Sequence, residues 1–333
     1  MRRLTSLVTG GAGFIGSHVA KHLHKAGHRV VVLDDLSGGF VENIPYGVDD
    51  FVGSVTDKET VAALFDRYQF DYIFHLAAYA AEGLSHFIRH FNYTNNLIGS
   101  VNLINAAVNA KTVKRFVFTS SIAAYGHSDV LPMTEAMTPN PVDPYGIAKY
   151  AVELDLRAAH EMFGLEYTIF RPHNVYGPGQ NIADKYRNVI GIFMNQLLAG
   201  VPMTIFGDGQ QTRAFSYIDD VAPIIADCIN VPEAANDVFN IGSDDSYTVL
   251  QLAVLTAAAM GREPNIIHLE KRNEVVDAWC SHEKLASVFG AQKHTELVEG
   301  LCAMADWVEG KDPKRSKNFD NIEIEMNLPA SWR

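Results

Sequence analysis

Tyr145-Gly146-Ile147-Ala148-Lys149 sets a phenol and an ammonium four residues apart, a spacing that brings both to one face of a helix. A neighbouring cation favours the phenolate, so Lys149 is expected to lower the Tyr145 pKa from about 10 toward neutrality and make Tyr145 a general base. A Tyr-x-x-x-Lys pair also occurs on many helices as an ordinary exposed pair. Upstream, Phe118-Thr119-Ser120-Ser121 carries an apolar run into hydroxyls, followed by Ile122 and Ala123, whose side chains cannot transfer protons.

Thr9-Gly10-Gly11-Ala12-Gly13-Phe14-Ile15-Gly16 follows one apolar run and opens the first helical pattern. Glycines at this spacing allow a tight turn, close approach of backbone to a pyrophosphate and packing of helix on strand, with the helix N-terminus facing the negative charge. Asp34 ends the next apolar run, Val30–Leu33, at about the separation expected of an acid that bonds the adenosine ribose. A carboxylate there accepts from a 2′-hydroxyl and repels a 2′-phosphate, which selects NAD over NADP; Asp35 is the alternative acid. A bound nicotinamide would add its positive charge to that of Lys149 beside Tyr145.

These groups need a frame. Leu4–Thr9, Val30–Leu33, Tyr72–Leu76, Arg115–Thr119 and Tyr167–Arg171 are short, β-branched or aromatic, and nearly continuous in hydrophobicity, as strands buried on both faces are. Between them, Ser17–Ala26, Lys58–Tyr68, Leu97–Ala110 and Ile147–Phe163 repeat apolar residues at helical spacing. The alternation predicts an α/β protein with a Rossmann-type, doubly wound parallel sheet. Residues 1–175 are read as the nucleotide-binding domain. Residues 176–333, with turn-rich stretches such as Gly207-Asp208-Gly209-Gln210, are read as a smaller α/β substrate domain with an interleaved boundary. The polar stretch after Pro313 is expected to be peripheral.

Composition narrows the partners. With 27 Lys and Arg against 39 Asp and Glu the net charge is −12, which argues against a nucleic-acid partner while leaving room for an anionic small molecule held by a few Arg residues. Cys228, Cys280 and Cys302 have no metal-ligand spacing, and their odd number makes a disulfide framework improbable. No metal is expected. The N-terminal apolar stretch meets Gly10 too early for a signal peptide, and no apolar run approaches the roughly 20 residues that span a bilayer. A reducing cytoplasm is the expected location.

The glycine loop, the Ser121 strand end, Pro144-Tyr145-Gly146, Arg171-Pro172-His173-Asn174-Val175-Tyr176-Gly177, Gly207-Asp208-Gly209 and Tyr217-Ile218-Asp219-Asp220 occur in the order found in the extended short-chain dehydrogenase/reductases. The chain resembles their NAD-dependent epimerase/dehydratase family, and within it the group of UDP-glucose 4-epimerases. The resemblance implies that Ser121 bonds the reacting sugar oxygen and Tyr145, and that Lys149 also holds the nicotinamide ribose. It places Gly10, Gly13, Phe14, Ile15, Gly16, Asp34, Ser54, Val55, Leu76, Ala77 and Ala78 at NAD, together with Tyr145 and Lys149. Asn174, Arg213 and Lys271 or Arg272 would contact the diphosphate of a nucleotide sugar, one carrying UDP and a hexose, and Glu274 the nucleotide ribose. Arg171 reads equally well as a structural strand-end residue.

The implied reaction oxidises C4, rotates the 4-keto sugar and returns hydride to the opposite face. Two departures from the family stand out: Ser54 follows Gly53 where an acid is common, and Ala80 replaces a lysine typical of 4-epimerases, with an unusual Glu82 close by. The alternatives are a UDP-glucuronate 4-epimerase or decarboxylase, a 4,6-dehydratase, a reductase, and a non-catalytic nucleotide-sugar binding protein. Ile122 and Ala123 stand where dehydratases carry an Asp-Glu pair, and Ala123 where decarboxylases carry Glu. The Leu97–Ala110 and Ile147–Phe163 helices could pair across a homodimer or belong to the core.

Overall fold

The computed structural model describes residues 3–271, 275, 277–311 and 319–332. Its main sheet uses β1 (Thr5–Thr9), β2 (Arg29–Asp34), β3 (Asp49–Val52), β4 (Tyr72–His75), β5 (Arg115–Thr119), β6 (Tyr167–Pro172) and an outermost strand, Asp237–Ile241. All neighbours are parallel. Their order is Asp237–Ile241, β6, β5, β4, β1, β2, β3. The winding therefore reverses between β1 and β4, and a crevice opens at the carboxyl ends of these two strands.

Each strand feeds two cores because its side chains alternate across the sheet. Val8, Val32, Phe74, Val117 and Phe170 face one cluster with Val19 and Leu23 of α1 (Phe14–Lys25). Leu7, Val31, Ile73, Phe116, Phe118 and Ile169 face the other, with Leu64 of α2 (Lys58–Arg67), Leu103 and Leu156. Burial on both faces is why these strands read as continuous apolar runs.

Two strands lack that signature and were not anticipated. In β3, Asp49-Asp50-Phe51-Val52 is an edge strand whose residues are half-buried or exposed in alternation. Asp237–Ile241 lies far beyond residue 175 yet pairs with β6. The helix carrying Tyr145 starts three residues before its apolar pattern, at Pro144, because the Asp143 carboxylate caps it by accepting from the Gly146 amide at 2.9 Å. It ends at Phe163, where Gly164 adopts φ 73°.

Beyond β6, Met203–Phe206 pairs with Ile266–Leu269, and Thr212–Ala214 pairs with Ser246–Thr248 and Asp277–Ala278. The helices Val189–Leu198, Ile218–Asp227, Val249–Ala259 and Leu297–Val308 join the same apolar cluster as α1. One expectation is overturned here. The stretch after Pro313 is not peripheral throughout: Leu328 and Trp332 are only 7% and 3% exposed, packed with Ala81, Leu84 and Ile88. Polar composition hid two apolar anchors. No helix among the described residues is long and apolar enough to cross a membrane.

Candidate active site

The glycine loop sits where β1 meets β4. Gly10 has φ 70°, and a Cβ on it would come within 2.7 Å of the Ala77 nitrogen. A Cβ on Gly16 would overlap the Gly10 carbonyl. Gly13 begins α1 without a side-chain cap, leaving the first amides of the helix for a ligand. The cleft above has a volume of about 1680 Å³, beyond the roughly 300–1,000 Å³ of a pocket for one small ligand, so it has room for a dinucleotide and a second molecule. Phe14, Ile15, Ser54, Val55, Leu76, Ala77 and Ala78 all line it. These residues fit NAD: the loop is bare where a pyrophosphate needs backbone and the helix end faces it.

Asp34 is buried at the end of β2 and lines the same cleft. Its carboxylate accepts from the Ala12 amide at 3.0 Å and the Leu36 amide at 2.8 Å. Burial, its largest influence, raises its pKa, and these amides oppose the shift. Asp35 is exposed and turned to Ser37. A layer over the glycine loop escaped the sequence reading. A Cβ on Gly39 would reach within 2.6 Å of the Ala12 carbonyl carbon, and Asn43 donates to the carbonyls of Ala12 at 3.3 Å and Gly179 at 3.1 Å. The dipeptide Gly38-Gly39 was its only sequence signal.

Ser121, Tyr145 and Lys149 meet on the cleft floor. The Ser121 hydroxyl is hydrogen-bonded to Tyr145 and accepts from the Ala123 amide at 3.1 Å. Lys149 Nζ lies 5.8 Å from the centre of the Tyr145 ring and donates to the Thr119 carbonyl at 2.8 Å. The expected lowering of the Tyr145 pKa is not produced by these groups. Burial first, then the charge of Glu82, push the phenol up, while the Ser121 hydrogen bond and Arg187 pull it back. Burial also brings Lys149 down to about 7, against the attraction of Glu153. Sequence spacing showed the pair but not its desolvation, which is the largest influence on both groups.

A polar chain fixes the floor. Thr9 Oγ1 and His75 Nδ1 are 2.7 Å apart, and His75 Nε2 and Ser100 Oγ 2.8 Å. Burial lowers the His75 pKa to about 3, so the ring is a neutral spacer. Asn96 holds the Ala77–Ala80 turn by accepting from the Tyr79 amide at 2.8 Å and donating to its carbonyl at 3.0 Å. Arg171, left outside the site, pairs with buried Glu153 through bonds of 2.9 and 2.5 Å and stacks over the Tyr125 ring at 4.6 Å.

Farther along the cleft lie Asn174, Arg213 and Lys271. Asn174 takes φ 40° and donates to the Ala214 carbonyl at 2.9 Å. Arg213 donates to the carbonyls of Thr212 and Val275. Arg272 and Glu274 lie outside the described residues. The model of the NAD dependent epimerase/dehydratase family matches residues 6–242.

The chain belongs to the NAD-dependent epimerase/dehydratase family. It is similar to the UDP-glucose 4-epimerase of Mycolicibacterium smegmatis, 33% identical over 92% of this chain and 99% of that protein. It is similar in structure to the UDP-glucose 4-epimerase of Thermotoga maritima solved with UDP-glucose, with TM-score 0.87, 36% identity and coverage of 91% and 98%. The UDP-glucuronic acid 4-epimerase of Bacillus cereus, solved with UDP-glucuronic acid and NAD, gives TM-score 0.84, 26% identity and coverage of 92% and 99%. This family member is thus an NAD-dependent enzyme of the nucleotide-sugar epimerase kind, and these relatives differ in the sugar they are named for.

Another stretch of the cleft wall includes two residues, Glu82 and Arg187, whose charges act on Tyr145. Lys185 and Tyr186 belong to it, together with residues 326–332. Arg187 is ion-paired to Asp184 at 2.7 Å and sits over the Tyr79 ring at 5.0 Å. Lys185 donates to the Ser331 carbonyl at 3.1 Å. Apart from Glu82, none of these residues belongs to a periodic pattern or a glycine motif, so periodicity and spacing could not single them out.

Proposed function

We propose that this chain interconverts the C4 epimers of a UDP-hexose, most simply UDP-glucose and UDP-galactose, with NAD kept bound through the cycle. The Gly10–Gly16 loop and the start of α1 would hold the pyrophosphate, Asp34 the adenosine ribose, and Lys149 the nicotinamide ribose. Bound NAD supplies an acceptor and donor of hydride at C4. Tyr145 takes the proton of the C4 hydroxyl and returns it, and Ser121 holds the same oxygen in line. Asn174, Arg213 and Lys271 anchor the diphosphate, with Arg272 and Glu274 proposed alongside them.

The observation carrying this reading is the convergence of Ser121, Tyr145 and Lys149 on the one cleft, with Ser121 directly followed by Ile122 and Ala123. Without an acid or base at those two positions, the residues adjoining the catalytic serine cannot drive dehydration. A neutral sugar is favoured over a uronate because the charge of Glu82 acts on Tyr145 more strongly than that of Arg187, which is ion-paired to Asp184. Exposed Ile98, Ile147 and Leu154 support a homodimer joined through the Leu97–Ala110 and Ile147–Phe163 helices.

C4-deuterated UDP-glucose in ordinary water tests the reaction. Mass spectrometry is expected to show label retained at C4 in an epimer of unchanged mass, and Tyr145→Phe to cut turnover on the order of 10²–10⁴-fold while substrate still binds. Washout of label, or loss of water or carbon dioxide, sinks the reading.

A further inference from the structure

Residues 319–332 form a strap across the cleft rather than a surface appendage. On one side the Glu323 carboxylate accepts from the amides of His90 and Phe91 at 2.7 and 2.8 Å, and the Glu323 amide donates to the Phe87 carbonyl at 2.8 Å. On the other, the Phe319 amide donates to the Tyr186 hydroxyl at 2.9 Å, and the Ser331 carbonyl accepts from Lys185 at 3.1 Å. Both sides are thus tied by the same fourteen-odd residues, about one hydrogen bond for every three of them.

Trp332 seats the strap. Its ring packs edge-on against Phe87 and Tyr186, at centroid distances of 6.2 and 5.3 Å, and a Cβ on Gly83 would come within 3.1 Å of it. Gly83 lies in the Glu82–Ser85 turn. Ser85, in that turn, accepts from the Tyr145 amide at 3.2 Å. Trp332 is therefore linked through this turn to the backbone of Tyr145, and it lines the same cleft. Met326, Asn327, Leu328, Pro329, Ala330 and Ser331 line the cleft, a largely apolar surface with one amide and one hydroxyl that suits the C–H face and hydroxyls of a neutral sugar.

We infer that residues 319–332 are the specificity-determining wall of the sugar subsite, with Trp332 and Glu323 holding it in place. The inference rests on the nucleotide-sugar reading above. Here the sugar adds its affinity against this wall, whereas the UDP portion binds toward Arg213 and Lys271. Calorimetry separates the two. UDP-glucose and UDP are titrated into the NAD-loaded protein, into Trp332→Ala and into the milder Glu323→Gln.

The variants are expected to bind UDP-glucose on the order of tenfold more weakly while UDP affinity and NAD content stay within about twofold. Their relative affinity for UDP-glucose and UDP-N-acetylglucosamine should shift as well. Unchanged UDP-glucose affinity in both variants, or equal losses for UDP and UDP-glucose, overturns the inference. Because calorimetry reads affinity whichever product forms, a failed isotope experiment would reject the C4 chemistry and leave this result standing by itself.

Discussion

An ammonium group enclosed beside β5 keeps its proton only at a cost, and Lys149 shows it: burial lowers its pKa from 10.5 to about 7. Between those values the unfolded chain holds a proton that the folded chain does not, so this residue makes stability rise with pH across the window. Below pH 7 both states are protonated and the penalty is constant. Lys149→Met, of similar length and without charge, should therefore be more stable than the parent near neutrality, with the gain shrinking toward pH 10.5. Urea midpoints across that range test it; a difference independent of pH would show that Lys149 does not titrate there.

Sequence legibility at this scale was uneven. Residue types and spacing exposed Tyr145, Lys149 and the glycines, because helical periodicity and a bare turn are local properties. The upward shift of Tyr145 was illegible, since it depends on enclosure by segments distant in the chain and on Glu82. Asp34 was placed at the cofactor, but its bonds to the Ala12 and Leu36 amides gave no signal in the spacing.

Between elements, the Arg171–Glu153 pair joins β6 to the helix that carries Tyr145 and Lys149, and the Ser120 hydroxyl donates to the same carboxylate at 2.5 Å. Glu153→Ala would leave a guanidinium buried without its counter-charge, at a cost of about 3–5 kcal/mol. Replacing both residues by Met should recover much of that loss, because no unpaired charge remains. Denaturant unfolding of Glu153→Ala, Glu153→Met, Arg171→Met and the double Met variant checks this, and additive losses in the Met series would mean that the two side chains stabilise independently. The strands most visible in the sequence were those buried on both faces. The edge strand β3 was hidden by its acids, and Asp237–Ile241 by its distance from β6 along the chain.

Across the whole molecule, Ile147 and Leu154 lie seven residues apart on one helix and are 40% and 43% exposed, while Ile98 on the preceding segment is 47% exposed. Such a stripe on neighbouring helices suits a two-fold interface. Light scattering should find a dimer, and Leu154→Glu a monomer that retains NAD, since the stripe is remote from the glycine loop. A parent protein that is monomeric at micromolar concentration removes the interface.

The position of Asp237–Ile241 also governs how the chain is made. During synthesis β6 emerges well before its outer neighbour, so the amides and carbonyls along that side of β6 stay unpaired while some seventy residues are added. An unpaired strand edge recruits other strands. For this stretch of elongation the nascent chain carries an open edge on β6 that can stick to its neighbours, and that edge closes when Asp237–Ile241 is in place.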